Sequence, residues 1–296
     1  MPPFEEAWDN ATTSNLTNIE KLLDGFDWDK RDKRLDGLPL MSSIWPSIFI
    51  LITYIFLTKV VGPISMRQRN PMQLKYFAKC HNSVHFLCEF VLTVWLSMHY
   101  FAEGNGWGKQ DWRNILKIKK IFQIFPVCQP VDRNDDPLSS PYKVAMAWYW
   151  MYLTRISTLL DTMILVGRKK FHKVTTYHVL VHCYTVIFFW IHCRFAPGGH
   201  GTLDLLTASS TMVEMHLHYL WISLGPSSHS WFRQHLTTFQ VVQNLANLSR
   251  LIVVLILAPT CDFPWQISLL TFSFETFCFV FFICSYLELY VCPSKL

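Results

Sequence analysis

The sequence predicts an all-α integral membrane protein with seven transmembrane helices. Three observations carry this expectation. Of the 296 residues, 51% are hydrophobic and 16% aromatic, while only 16% are charged, against about 25% charged in an average soluble domain. Apolar runs at 44–61, 85–101, 145–166 and 267–290 reach the roughly 20 residues that cross a hydrocarbon core. Three weaker runs, interrupted by polar groups, lie at 175–192, 203–224 and 241–258. Length and composition together, with 11 Gly and 9 Cys in 296 residues and a mean hydropathy of +0.22, exclude disordered, collagen-like and small disulfide-stapled classes.

The elements follow in order. Residues 1–43 form a polar amino-terminal tail, and residues 1–40 hold nine of the 21 acids but only five of the 26 bases. The first apolar run starts after this tail, which argues against a cleavable signal peptide. Two acceptor triplets begin at Asn10 and Asn15 and are glycosylated if the tail is lumenal. Residues 44–290 are the seven-span domain, and 291–296 a short tail. With an odd number of spans, a lumenal amino terminus leaves the carboxyl terminus cytosolic. The loop after span one (Arg67, Arg69, Lys75, Lys79) and the loop after span three (Arg168, Lys169, Lys170, Lys173) are then cytosolic and basic, as the positive-inside rule asks. The loop at 102–141 also carries bases and opposes this orientation. Because the bases sit in short clusters between apolar runs, the partners implied are a lipid bilayer and phosphorylated substrates; no nucleic-acid motif is present.

Charge within a span faces a bundle interior, a partner or a cavity. Glu89, Arg155, Asp161, Glu214, Arg250, Glu275 and Glu288 lie in spans, as do His99, His178, His182, His216 and His218. Span three carries Arg155, Thr158, Asp161 and Thr162 along one helical stripe, which should face inward. His178 and His182 are one turn apart on span four. No third ligand stands near them, so no metal site is expected. Cys128 and Cys261 fall in two loops on the lumenal side. An oxidising lumen would permit a disulfide between them, and two unpaired small apolar residues are an equally good reading.

Several of these residues resemble motifs of the fatty-acid elongase (ELO) family, the very-long-chain 3-oxoacyl-CoA synthases of the endoplasmic reticulum. Gly62-Pro63 through Met66, Arg69 and Pro71 is similar to G-P-x-x-M-x-x-R-x-P, and Cys128-Gln-Pro-Val-Asp132 to C-x-P-x-D. Arg155, Thr158, Asp161 and Thr162, followed by Arg168-Lys169-Lys170, parallel K-x-x-E-x-x-D-T and its basic run. Thr237, Gln240 and Gln243 match T-x-x-Q-x-x-Q. Two departures stand out. The histidine box H-x-x-H-H reads His178-Val-Leu-Val181-His182, and the asparagine and histidine of the fifth-span motif fall on Ala208 and Met212.

The resemblance implies condensation of a long-chain acyl-CoA with malonyl-CoA to a 3-oxoacyl-CoA, with loss of CO2 and no further cofactor. Spans two to seven would surround a narrow acyl-chain tunnel with coenzyme A entering from the cytosol. His178, His182, Asp161 and the relocated His216 are the candidate catalytic groups, since imidazole serves as nucleophile, base or acid near neutral pH. Arg155, Thr158, Thr162, Arg168, Lys169, Lys170, Tyr219, Thr237, Gln240 and Gln243 are the candidate substrate-binding residues. Thr158 replaces the family's acid, which leaves Arg155 without a local partner. Because Val181 and Met212 replace family histidines, a noncatalytic lipid-binding or regulatory protein of the same fold is the alternative. A seven-span receptor is a remote third reading, and a di-iron desaturase lacks the histidines it needs. The expected location is the endoplasmic reticulum membrane, with other enzymes of the elongation cycle and a second copy as possible partners. The terminal Ser294-Lys295-Leu296 reads as a coincidental match to a peroxisomal address.

Overall fold

The computed structural model describes residues 28–102, 129–224, 229–257 and 263–290. Asn10, Asn15, Cys128, Cys261 and the tail at 291–296 lie outside the described residues. All long elements among the described residues are helices: α1 (Trp45–Phe56), a π-helical turn (Leu57–Val61), α2 (Gly62–Met66), α3 (Lys75–Ala102), α4 (Ser140–Ser157), α5 (Leu159–Gly167), α6 (Thr176–Phe195), α7 (Gly201–Leu224), α8 (His229–Leu257) and α9 (Trp265–Tyr290). Taking α1–α2 and α4–α5 each as one rod, seven rods result. Four stretches, Trp45–Met66, Thr176–Phe195, His235–Ile256 and Trp265–Cys284, are long and apolar enough to cross a membrane. Large apolar side chains face outward, Trp45 and Phe49 each 72% exposed and Met98 65%, as in a multi-pass protein solvated by lipid rather than water.

Helices α3 and α8 begin at Lys75 and His229, well before the apolar windows at 85 and 241. Hydropathy sees only the lipid-facing part of a helix, whereas Lys, Gln and similar residues continue it into polar surroundings. The third rod is broken at Thr158 rather than continuous. There Thr154, Ser157 and Thr158 hydroxyls donate to the carbonyls of Met151, Thr154 and Arg155 at 2.8–2.9 Å. Such back-bonding competes with the helix ladder and bends it.

The π-turn between α1 and α2 has a covalent cause. Pro63 has no N–H to donate to the carbonyl four residues earlier, and its ring crowds that carbonyl. Gly62 next to it is required by contact, since a Cβ there would sit 2.5 Å from Val166 Cγ1 on α5. The Gly-Pro pair thus lets the first rod pack directly on the third.

Residues 28–43, which the sequence assigns to a polar tail, are packed on the end of α6. Leu35 and Met41 are fully buried. Asp36 accepts from Arg194 Nη2 at 2.6 Å, and Asp32 N–H donates to Arg194 O at 2.6 Å. Burial pushes the Asp36 carboxyl up, but hydrogen bonds and charge from Arg194 and Arg31 prevail and hold it below its ordinary value. Within the bundle α3 packs mainly on α7, α8 on α9, and α4 on α6. Trp148, Tyr152, Phe189 and Leu205 are among the fully buried core side chains.

Candidate active site

A cavity of about 910 Å³ runs between α3, α4–α5, α6, α7, α8 and α9, at the upper end of the roughly 300–1,000 Å³ of ligand clefts. Its lining changes character along its length. One end is basic: Lys75 and Lys79 from α3 meet Arg168, Lys170 and Lys173 from the segment after α5. The middle holds Asp161, His178, Val181, His182 and His216. Farther in, Arg155, Asn244, Asn247 and Glu275 share the lining with aromatic side chains that include Phe189 and Phe274.

Local structure sets the histidines. Thr175 caps α6 by accepting from His178 N–H at 3.1 Å, so the first helical turn fixes His178 as part of the cavity wall. Tyr54 OH donates to Thr162 Oγ1 at 2.9 Å, and Thr162 Oγ1 lies 3.0 Å from His178 Nε2. Thr162 Oγ1 thus bridges the two side chains, accepting from the Tyr54 phenol and sharing with His178 Nε2 a hydrogen bond whose direction follows the imidazole tautomer. His182 meets His178 edge-on, ring centroids 4.7 Å apart.

The partners of the remaining polar groups come from α3. His81 Nε2 is 3.1 Å from Asp161 Oδ1, Asn82 Oδ1 is 3.4 Å from His216 Nδ1, His85 Nε2 is 2.9 Å from Ser157 Oγ, and Glu89 Oε1 is 2.7 Å from Arg155 Nη2. His85 lies between His81 and His216, with ring centroids at 4.5 and 4.8 Å. Arg155 is therefore not without a partner: a residue on another helix supplies the acid. Sequence reasoning missed His81 and Asn82 because the apolar window opens at residue 85, and it missed His85 because that residue sits at the window's very edge. The signal available was their helical spacing with Glu89, which puts all four near one face of a helix.

Of the other candidate residues, Thr158, Arg168, Lys170, Tyr219 and Gln243 line the cavity, while Thr162, Lys169, Thr237 and Gln240 are not among its lining residues. Thr162 is buried behind His178 and Tyr54. Lys169 differs from its neighbours for a backbone reason. Its φ is +57°, its N–H bonds Val166 O at 2.9 Å, and the Lys170 N–H bonds Leu165 O at 2.9 Å, the Schellman pattern that ends α5. The left-handed turn sends Lys169 Nζ to Arg67 O at 3.4 Å. Gln243 Nε2 donates to Thr207 O at 2.9 Å, tying α8 to α7 at the cavity wall. Lys170 is held below the ordinary lysine value, first by the charge of Arg168, then by burial and Lys173. The basic end is thus crowded with like charge that an anion would relieve. Among the described residues no three His, Cys, Asp or Glu groups are placed to hold a metal ion.

Comparison with known proteins gives the lineage. The sequence profile of the ELO family, described as GNS1/SUR4, matches residues 39–296. The chain belongs to the ELO family. Among its relatives, very long chain fatty acid elongase 1 of Mus musculus is 30% identical over 260 residues, 85% of this chain and 83% of that protein. A very long chain fatty acid elongase of Aedes aegypti is 30% identical over 237 residues, 79% of this chain, which spans 60% of that relative's length. Very long chain fatty acid elongase 4 of Homo sapiens is 26% identical over 267 residues. Against the ELO motifs, the departures are concentrated in the cavity: Val181, Ala208 and Met212, where the motifs carry histidine or asparagine, all line it.

Proposed function

We propose that this protein condenses a long-chain acyl-CoA with malonyl-CoA, the first step of two-carbon fatty-acid elongation. The observation that supports this reading most is the single cavity that joins a basic end, an imidazole and carboxylate middle, and a far part where Phe189, Phe274 and Ala208 offer apolar surface beside Arg155, Asn247 and Glu275. A coenzyme A ester needs these three environments in this order: cations for the phosphates, titratable groups at the thioester, apolar surface for the chain. In the reaction the malonyl carboxylate leaves as CO2, and its bonding pair becomes an enolate. The enolate carbon bonds the acyl carbonyl carbon, coenzyme A leaves as thiolate, and the thiolate takes up one proton. His178, His182, His216 and Asp161 are the groups available for acyl transfer and for stabilising the enolate. The same reading puts the protein in the endoplasmic reticulum membrane with seven crossings, the basic end cytosolic and the amino terminus lumenal.

Microsomes bearing the protein, given malonyl-CoA and acyl-CoAs from saturated to polyunsaturated, are expected to form 3-oxoacyl-CoA, and His182→Ala to abolish it. No product from any chain would favour the second reading, a noncatalytic lipid-binding member of the family, which the loss of histidine at Val181 and Met212 supports.

A further inference from the structure

The midsection of the cavity contains an imidazole whose tautomer is set by an unassigned neighbour. His216 on α7 is only 2% exposed and lines the cavity. Its Nδ1 is 3.4 Å from Asn82 Oδ1 on α3. A carboxamide oxygen can only accept, so the imidazole proton is on Nδ1 and Nε2 carries the lone pair. The separation is at the long end for a hydrogen bond, as is common at reactive groups before substrate binds. His216 Nε2 is buried and has no hydrogen-bond partner among the described residues. A buried acceptor left unmatched costs stability unless a ligand meets it. His178 differs, because Thr162 occupies its Nε2. His85 stacks on His216 at 4.8 Å and fixes the ring plane.

We propose that His216 Nε2 is the atom that accepts the acyl group, and that Asn82 is the positioning residue that keeps that nitrogen nucleophilic. This deepens the condensation reading and rests on it for the identity of the acyl donor. The Nε2 lone pair bonds the thioester carbonyl carbon, the C–S bond breaks, and the thiolate leaves with the bonding pair and takes a proton from water. Nδ1 keeps its proton on Asn82 throughout, so the intermediate is an acyl-imidazolium. The enolate from malonyl-CoA then bonds the acyl carbon, the C–N bond breaks, and its pair returns to Nε2. The neutral tautomer is restored, and one proton has been consumed overall. The residue that replaces the family's fifth-span histidine is Met212, one helical turn from His216, so the imidazole has moved along the same face rather than vanished.

The test uses the purified full chain in detergent, mixed with a saturated long-chain acyl-CoA and no malonyl-CoA, and read by intact mass and by thiol release. One acyl group gained, mapped to His216 and lost in His216→Gln, is expected. Asn82→Leu should slow acylation about 100-fold with acyl-CoA affinity unchanged. Asn82→Asp, whose carboxylate also holds Nδ1–H, should stay within about tenfold of the wild type. Each variant's thermal midpoint checks that it folds. An adduct on His178 or His182, or an Asn82→Leu effect confined to affinity, overturns the proposal. Condensation is assayed on the same samples. Product without a His216 adduct removes the proposal and keeps condensation, an adduct without product does the reverse, and neither signal removes both.

Discussion

Glu89 Oε1 lies 2.7 Å from Arg155 Nη2, with both side chains at most 2% exposed. Arg155 also contacts Met151 Sδ and stands over the Phe189 ring at 5.5 Å. The pair joins α3 to α4 immediately beside the cavity, so removing one member strands a charge in a low-dielectric interior. Glu89→Leu is expected to destabilise the protein by about 3–5 kcal/mol, seen as a lowered thermal midpoint in detergent. The double replacement Glu89→Leu with Arg155→Met should recover most of that loss. If the double variant melts as low as the single, the pair is not what ties these helices.

The basic run after α5 is three residues in sequence but two in the site. Arg168→Ala and Lys170→Ala should each remove a charge-assisted contact to coenzyme A phosphates, worth roughly 1.5–3 kcal/mol, and raise the acyl-CoA KM about tenfold or more. The effect should shrink in high salt. Lys169→Ala should leave KM unchanged. Lys169→Gly should raise stability by about 1 kcal/mol, because glycine adopts the left-handed turn without a Cβ clash. A KM rise for Lys169→Ala equal to that of its neighbours would refute this division.

The bundle was legible because lipid imposes a length and an apolar face on each span, and both are written in the residues. The histidines of α6 and the acid of α5 were legible for the same reason: charge in a span must face inward. The α3 face was not. His81 and Asn82 stand outside the apolar window, and nothing local in sequence says that Glu89 answers Arg155 or Asn82 answers His216. Those pairings are made by packing α3 on α4–α5 and α7. The Thr158 break and the Lys169 turn were hidden for another reason, being set by hydroxyl back-bonding and helix-end hydrogen bonds rather than by hydropathy.

Ala208 and Met212 line the cavity one turn apart on α7. Enlarging the smaller side chain fills space that the acyl chain would occupy, at a packing cost of about 1–3 kcal/mol. Ala208→Phe should therefore shorten the longest acyl-CoA accepted in the condensation assay while short chains continue to react. Equal loss of activity at every chain length would show that Ala208 does not border the chain.

Asp36 anchors the amino-terminal segment through Arg194 at 2.6 Å and Arg31 at 3.3 Å. Its pKa is below the ordinary 3.8 despite burial, so the folded state binds its proton less readily than the unfolded chain. The stability it adds is then fully present above the unfolded value and is lost as pH falls through the lower folded value. Asp36→Asn should lower the thermal midpoint by a constant amount near neutral pH. That deficit should shrink below pH 3.8, where the wild-type carboxyl also takes up a proton and loses its grip on the two guanidinium groups. A deficit that persists unchanged through that range would mean the contact acts through packing of Leu35 and Met41 rather than through charge.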